Sequence, residues 1–262
     1  MPEPDLALLL AVAEAAGDLA LRYRRDGFET REKPGLGPVT DADIAVDDLL
    51  RSRLLAARPD YGWLSEETPD GPGRLGARRV FLVDPIDGTR DFIAGGDSWG
   101  PSLAVAEGGR LVAGVVRLPA RERSYSAARG EGARIDGLPL RTADRGEITG
   151  ARVLATAATF AAEAWPGGVP PVERAFRPSL AFRLCLVAEG AFDATLALRD
   201  CWEWDVAAGA LILAEAGGAA SDRDGGPLLF NGPSALVAGL VAAGPRLHDA
   251  LLQRRRQPPA ST

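Results

Sequence analysis

A chain of 262 residues, 46% hydrophobic and 25% charged, can bury a large core as one domain or as two packed halves. Its formal net charge of −6 argues against a nucleic-acid polymer as partner, and it leaves an anionic substrate in need of local positive charge, for which bound metal is one source. Two cysteines, Cys185 and Cys201, form no C-x-x-C and fit a reducing compartment without a disulfide framework.

Leu6 to Val12 is apolar but lacks a basic flank and is hemmed by Glu3, Asp5 and Glu14, and no span has the length of a membrane helix, so a cytoplasmic protein is expected. Leu6, Leu9, Leu10, Ala13 and Ala16 recur at helical spacing and predict an amphipathic helix over 5–25. Glu29 to Pro38, with two prolines and two glycines, reads as an exposed loop able to serve as a lid. Thr40 and Asp43 fit a capping box that opens a helix with Val46, Leu49, Leu50 and Leu54 on its buried face. Gly62 to Ser65 is a short strand that runs into Glu66-Glu67. Gly71 to Gly76 spells G-x-G-x-x-G, but no strand leads directly into it and no helix follows, so a dinucleotide site is rejected.

Val80 to Val83 is an unbroken apolar run that suits a strand buried on both faces, expected to stop at Asp84-Pro85. Residues 102–107 and 110–116 flank Gly108-Gly109 as a hairpin, and strands follow at Arg123 to Ala127 and between the glycines of 130–137. Polar composition near 142–150 divides the chain into halves, 1–145 and 146–262. The second half reads as a strand near Val153, a short helix from Thr159 and a helix capped by Ser179 and closed by Gly190. A strand over Phe192 to Leu196 precedes a helix from Val206 that is apolar all round, with Asp205 as N-cap and Gly217 at its end. A strand near Leu236, a helix from Pro245 and a disordered tail from Gln257 complete it.

Asp84 and Asp87 stand three residues apart at the mouth of a buried strand. Two carboxylates at 4 Å repel by roughly 4 kcal/mol at an effective dielectric of about 20, and a cation between them reverses the sign. Gly88-Thr89 is a permissive turn whose backbone N–H groups suit an anion. With Glu66 and Asp205 the set is all oxygen, which favours Mg²⁺ or Mn²⁺ over zinc.

Four segments in order, Val39-Thr40-Asp41-Ala42-Asp43, Ser65-Glu66-Glu67, Asp84-Pro85-Ile86-Asp87-Gly88-Thr89 with Phe92, and Trp204-Asp205-Val206-Ala207-Ala208-Gly209, resemble the inositol monophosphatase superfamily of magnesium-dependent, lithium-sensitive phosphomonoesterases. The resemblance spans nearly the whole chain. It implies a layered α/β fold, α/β/α/β/α, like the sugar phosphatases that include fructose-1,6-bisphosphatase, usually as a homodimer, acting on a small-molecule phosphate monoester with two to three Mg²⁺ ions or Mn²⁺ in their place. Carried over residue by residue, Glu66, Asp84 and the Ile86 carbonyl hold one metal, Asp84, Asp87 and Asp205 a second, and Glu66 contributes to a third. Asp43 and Thr89 orient and deprotonate the attacking water with Glu67 in support, and the Gly88 and Thr89 N–H groups bind phosphate. Asp205 also borders the substrate.

For the substrate, Leu64-Ser65-Glu66-Glu67, Tyr125-Ser126-Ala127-Ala128 and Cys185-Leu186-Val187-Ala188-Glu189-Gly190 are similar to the bacterial 3′(2′),5′-bisphosphate nucleotidase branch. Arg183 falls where that branch carries a lysine for a second phosphate, and Leu198 falls where inositol phosphatases carry a glutamate for inositol hydroxyls. Leu180-Ala181 replaces the Ser-Ser pair expected before the basic residue. The ranking is 3′-phosphoadenosine 5′-phosphate first, inositol 1-phosphate second, then histidinol phosphate and other sugar phosphates. Two rivals come from other classes. Gly96-Asp97-Ser98-Trp99-Gly100 matches the serine-hydrolase G-x-S-x-G with His248 downstream, but Pro101 and a strand follow where a helix is required, and His248 reads as part of a surface helix. A non-catalytic protein that keeps the fold is the other.

Overall fold

The computed structural model describes residues 4–33 and 37–256. The tail from Gln257 and residues 34–36 lie outside them. Helix α1 (Asp5–Asp26) leads into strands β1 (Thr30–Lys33) and β2 (Gly37–Thr40), which pair antiparallel. The stretch expected to be an exposed loop is therefore largely a two-stranded ribbon, held by backbone pairing that proline and glycine content does not report. Helix α2 (Asp41–Ala57) follows, with Thr40 and Asp43 forming the capping box anticipated.

Seven strands make the first sheet: β3 (Gly62–Ser65), β4 (Arg79–Asp87), β5 (Gly100–Glu107), β6 (Arg110–Leu118), β7 (Arg123–Ala128), β8 (Ala133–Ile135) and β9 (Leu138–Pro139), in sequential order. Only β3 and β4 run parallel. Gly108 (φ 57°) and Gly109 (φ 78°) are both left-handed, as a two-residue turn that matches strand twist requires. Along β4 the alternation is direct: Val80 and Leu82 join one core, Phe81 and Val83 the other.

β4 does not stop at Asp84-Pro85. It continues to Asp87 through a bulge in which Pro85 and Ile86 oppose the single residue Pro101. A bulge leaves a residue unpaired, so a proline without an N–H is tolerated there. The extra residue shifts the two-residue alternation by one, which brings Asp84 and Asp87 to one side.

Short helix α3 (Thr89–Ile93) caps the end of β4. The second sheet uses β10 (Arg152–Leu154), β11 (Glu173–Ala175), β12 (Ala194–Ala197), β14 (Ala219–Ser221) and β16 (Leu240–Ala243), in the order β11-β10-β12-β16-β14, while β13 (Cys201–Trp202) and β15 (Leu236–Val237) form a separate ribbon. Between the sheets lie α4 (Leu180–Ala188) and α5 (Glu203–Glu215); α6 (Pro245–Arg256) covers the outer face of the second sheet. The layers are thus α1/α2, sheet, α4/α5, sheet, α6, the α/β/α/β/α architecture expected. α5 is buried on nearly every side because both neighbouring layers are sheets or sheet-backed helices. The short helix anticipated from Thr159 is a 3₁₀ turn, Ala157–Phe160. β16, which packs through the middle of the second sheet, is apolar throughout and carries no alternation to announce it.

Candidate active site

The floor of the site is the bulged end of β4. Asp84 accepts the Ile86 backbone N–H at 3.0 Å. Asp87 reaches across to α4, where the Ser179 hydroxyl (2.6 Å), the Ala181 N–H (2.7 Å) and the Leu180 N–H (3.3 Å) all donate to its carboxylate. Ser179 in turn accepts the Phe182 N–H at 2.9 Å, so it and Asp87 together satisfy the open amides of that helix end. Gly88 has φ 97°, and a Cβ there would sit 2.7 Å from the Ser98 carbonyl, so only glycine fits the turn.

One wall follows β3. Lys33 donates to Glu67 at 2.7 Å and to Glu66 at 3.4 Å. Beneath them, buried Asp47 accepts the hydroxyls of Ser65 and Thr68, each at 2.5 Å, and so grips both ends of the glutamate turn. The second wall is the start of α2. Asp43 accepts the Thr40 hydroxyl (2.6 Å) and N–H (2.8 Å) on one oxygen and faces the Thr89 hydroxyl at 3.2 Å on the other. The Thr89 hydroxyl also lies 3.1 Å from the Ile86 carbonyl, so its single proton has two acceptors. Capping and proximity to Thr89 are both true of Asp43.

Asp205 closes the far side from α5. It is not the N-cap: Trp202 is, and Asp205 stands in the first turn, because β13 delivers the chain so that Glu203 begins the helix. Gly217 does take the left-handed position just past the helix end, with the Gly217 and Gly218 N–H groups bonding back to Ala214 and Leu213.

Electrostatics show that these acids share one field. Desolvation, then Glu66, Asp87 and Asp205, push Asp84 well above the carboxylate range. Asp205 is raised the same way by desolvation and by Asp87 and Glu66. Glu66 is raised to about 7 by desolvation, with Lys33 pulling it back. Desolvation also raises Asp43, Glu67 and Asp87, the last opposed by Ser179 and the α4 amides. Burial works against the Lys33 ammonium, but Glu66 and Glu67 hold its pKa above the ordinary value.

Four carboxylates without thiolate or imidazole fit a hard divalent cation, and the mutual repulsion just described is what such an ion relieves. Among the described residues no three of these groups close on a single point as placed.

Arg183 is not a solvated helix residue. It is buried, donates to the Arg177 and Pro178 carbonyls and lies 4.5 Å from the Phe176 ring centroid. Its charge faces Asp87 and Asp205. Lys33, Asp47 and Ser179 are the neighbours that sequence reasoning did not assign to the site. Ser179 announced itself only as a cap, and Lys33 sits in a stretch whose composition reads as loop. Ser98 and His248 do not meet: Ser98 donates to Asp97, and His248 is buried against Ser221 at 2.9 Å, not carried on an exposed helix face. The residues of 71–76 form a 3₁₀ turn, Pro72–Gly76, with no helix to receive a dinucleotide.

The profile of the inositol monophosphatase family matches residues 1–259. The chain belongs to the inositol monophosphatase family. It is similar to a histidinol-phosphatase of Mycobacterium tuberculosis, 37% identical over 97% of this chain and 98% of that protein. It is also 36% identical to an inositol-1-monophosphatase of Rhizobium meliloti over 72% of this chain and 73% of that one. Among solved structures it superposes on the extragenic suppressor protein suhB from Bartonella henselae with a TM-score of 0.82, at 24% identity and with 96% and 98% of the chains covered. The protein is accordingly a phosphoric monoester hydrolase acting on a small phosphate monoester.

Proposed function

We propose that this phosphatase works with Mg²⁺, two to three ions or Mn²⁺ in their place, held by Glu66, Asp84, the Ile86 carbonyl, Asp87 and Asp205, and that histidinol phosphate is its ester. The observation that carries the chemistry is that Glu66, Asp87 and Asp205 surround buried Asp84 and push it well above the carboxylate range, while Asp87 and Glu66 do the same to Asp205. A divalent cation bound there supplies the charge that a phosphoryl group and its departing alkoxide need. The chain's own groups do the rest. Asp43 takes a proton through the Thr89 hydroxyl, whose position between Asp43 and the Ile86 carbonyl suits it to align an attacking water. Glu67, held by Lys33, supports the same wall. Gly88 and Thr89 N–H groups meet the phosphate at the turn that only glycine permits.

For the substrate, a nucleotide bisphosphate depends on Arg183 to meet its second phosphate. Two of that guanidinium's N–H groups are engaged by backbone carbonyls and its face lies against Phe176, so a second phosphate competes for it. Leu198 offers no acceptor to inositol hydroxyls. Histidinol-phosphatase is the name of the 37% identical relative that matches nearly end to end. 3′-Phosphoadenosine 5′-phosphate, first on the sequence alone, moves to second, because the Arg183 charge still borders Asp87 and Asp205. A homodimer, lithium inhibition and a cytoplasmic location complete the proposal; no helix of the described residues is long and apolar enough to cross a membrane.

Phosphate release with Mg²⁺ from histidinol phosphate, inositol 1-phosphate and 3′-phosphoadenosine 5′-phosphate tests this, with Asp84→Asn alongside. Turnover led by histidinol phosphate and lost in the variant is the expected result. Turnover led by either other ester overturns the substrate, and activity that survives Asp84→Asn overturns the mechanism.

A further inference from the structure

Glu66 and Asp205 lie on segments far apart in the chain, and something must set the distance between them. The glycine-rich stretch rejected as a dinucleotide loop presents Arg74, only 4% exposed, from its 3₁₀ turn. The guanidinium forks onto Asp70 at 2.6 and 2.8 Å, three residues past Glu67. It also donates to the Asn231 side-chain carbonyl at 2.7 Å and to the Gly232 carbonyl at 3.0 Å, while the Asn231 amide returns a bond to the Arg74 carbonyl at 3.1 Å. The Asn231 and Gly232 N–H groups then donate to the two oxygens of Glu203, at 2.5 and 2.8 Å. Glu203 is fully buried and opens α5, two residues before Asp205.

We propose that Arg74, Asn231 and Glu203 form a positioning device that sets the separation of Glu66 from Asp205, and thereby the affinity of the site for its divalent cation. The inference rests on those two acids being metal ligands. A planar fork fixes direction as well as distance, so Arg74 holds Asp70 and the 231–232 turn in one register. Glu203 carries that register to the first turn of α5, where a carboxylate is also favoured by the open amides of the helix end. Arg74 and Glu203 are buried while Asp70 is exposed, and ionic groups buried in this way are weak evidence for stability and better evidence for registry. This cluster joins the two segments at points within four residues of the acids they carry, on either side of the site.

The test is Mg²⁺ titration by calorimetry on the full chain without substrate, with Asn231→Gly and Arg74→Lys. Asn231 has φ 62°, which glycine adopts freely, so the first variant removes the side chain without backbone strain. The expected result is Mg²⁺ binding weaker by about 10-fold, in the range for groups that orient metal ligands. Half-saturating Mg²⁺ for phosphate release rises by the same factor, and the rate recovers at saturating Mg²⁺. A role in stability alone lowers the melting temperature and leaves half-saturation unmoved. Binding within about twofold of the parent in both folded variants overturns the device. If Arg74→Lys does not fold, Asn231→Gly decides. Asp84→Asn separates the two levels. If it loses Mg²⁺ while Asn231→Gly keeps it, only the positioning role falls; if it binds Mg²⁺ as the parent does, the metal reading falls and this inference with it.

Discussion

Two groups of buried acids in this fold, among them Glu203 and Asp205 only two residues apart, meet different surroundings. Glu203 receives two backbone N–H groups, and Asp47 receives two hydroxyls. In both, donors aimed at the charge offset part of the desolvation, which still leaves each carboxyl raised. Asp84 and Asp205 face chiefly other carboxylates, and the fold leaves them raised well above the carboxylate range. Glu203 and Asp47 thereby hold the structure, whereas Asp87 and Asp43 accept comparable donors at the candidate site itself. We read the mutual repulsion around Asp84 and Asp205 as the mark of the proposed cation site.

The strongest way to break the contrast is Asp84→Asn. Phosphate release is expected to fall by about 10²–10³-fold or more, while the metal-free protein melts no lower than the parent, because a repelling charge has gone. A lower melting temperature in chelator would place Asp84 among the structural acids.

Asp47→Ala tests the other class. It leaves the Ser65 and Thr68 hydroxyls without their buried acceptor and frees the Glu66-Glu67 turn, at an expected cost of about 1–3 kcal/mol in denaturant unfolding, with activity reduced as well. Unchanged stability counts against the assignment.

A pH series sharpens the comparison further. In the metal-free protein Glu66 keeps its proton to about 7, against an ordinary value of 4.5. The folded state binds the extra proton across that window, so stability falls as pH rises from 4.5 through about 7. Thermal melts in chelator read this directly; Mg²⁺ should flatten the slope, and a rising slope in chelator contradicts the shift.

The smallest effect is reserved for Ser98→Ala. Ser98 bonds to its neighbour Asp97 and has no histidine beside it, so phosphate release should stay within experimental error of the parent. A large loss revives the serine-hydrolase reading.

Much of the site was legible because its information is local. Thr40 and Asp43 announce a capping box by spacing, Ser179 a helix start, and the apolar run before Asp84 a buried strand. Local grammar failed where a partner decided the outcome. Pro85 reads as a strand end, yet β5 accommodates it in a bulge. Asp205 reads as an N-cap, yet β15 pairs with β13 and α5 starts three residues earlier than that reading places it, at Glu203. His248 reads as surface, yet Ser221 from β14 meets it in the interior.

The sequence by itself carried the four motifs that resemble the family and, within them, a candidate all-carboxylate set without thiolate or imidazole beside a glycine turn. Tertiary structure alone decided how each charge is met. Asp87 caps α4, Lys33 bridges Glu66 and Glu67, and Arg183 bonds to backbone carbonyls. Arg74 is joined to Glu203 through residues 231–232. Most of these contacts join groups more than thirty residues apart, and a hydrogen bond acts over about 3 Å. No local pattern encodes such a distance; only the packing of two sheets and their helices sets it.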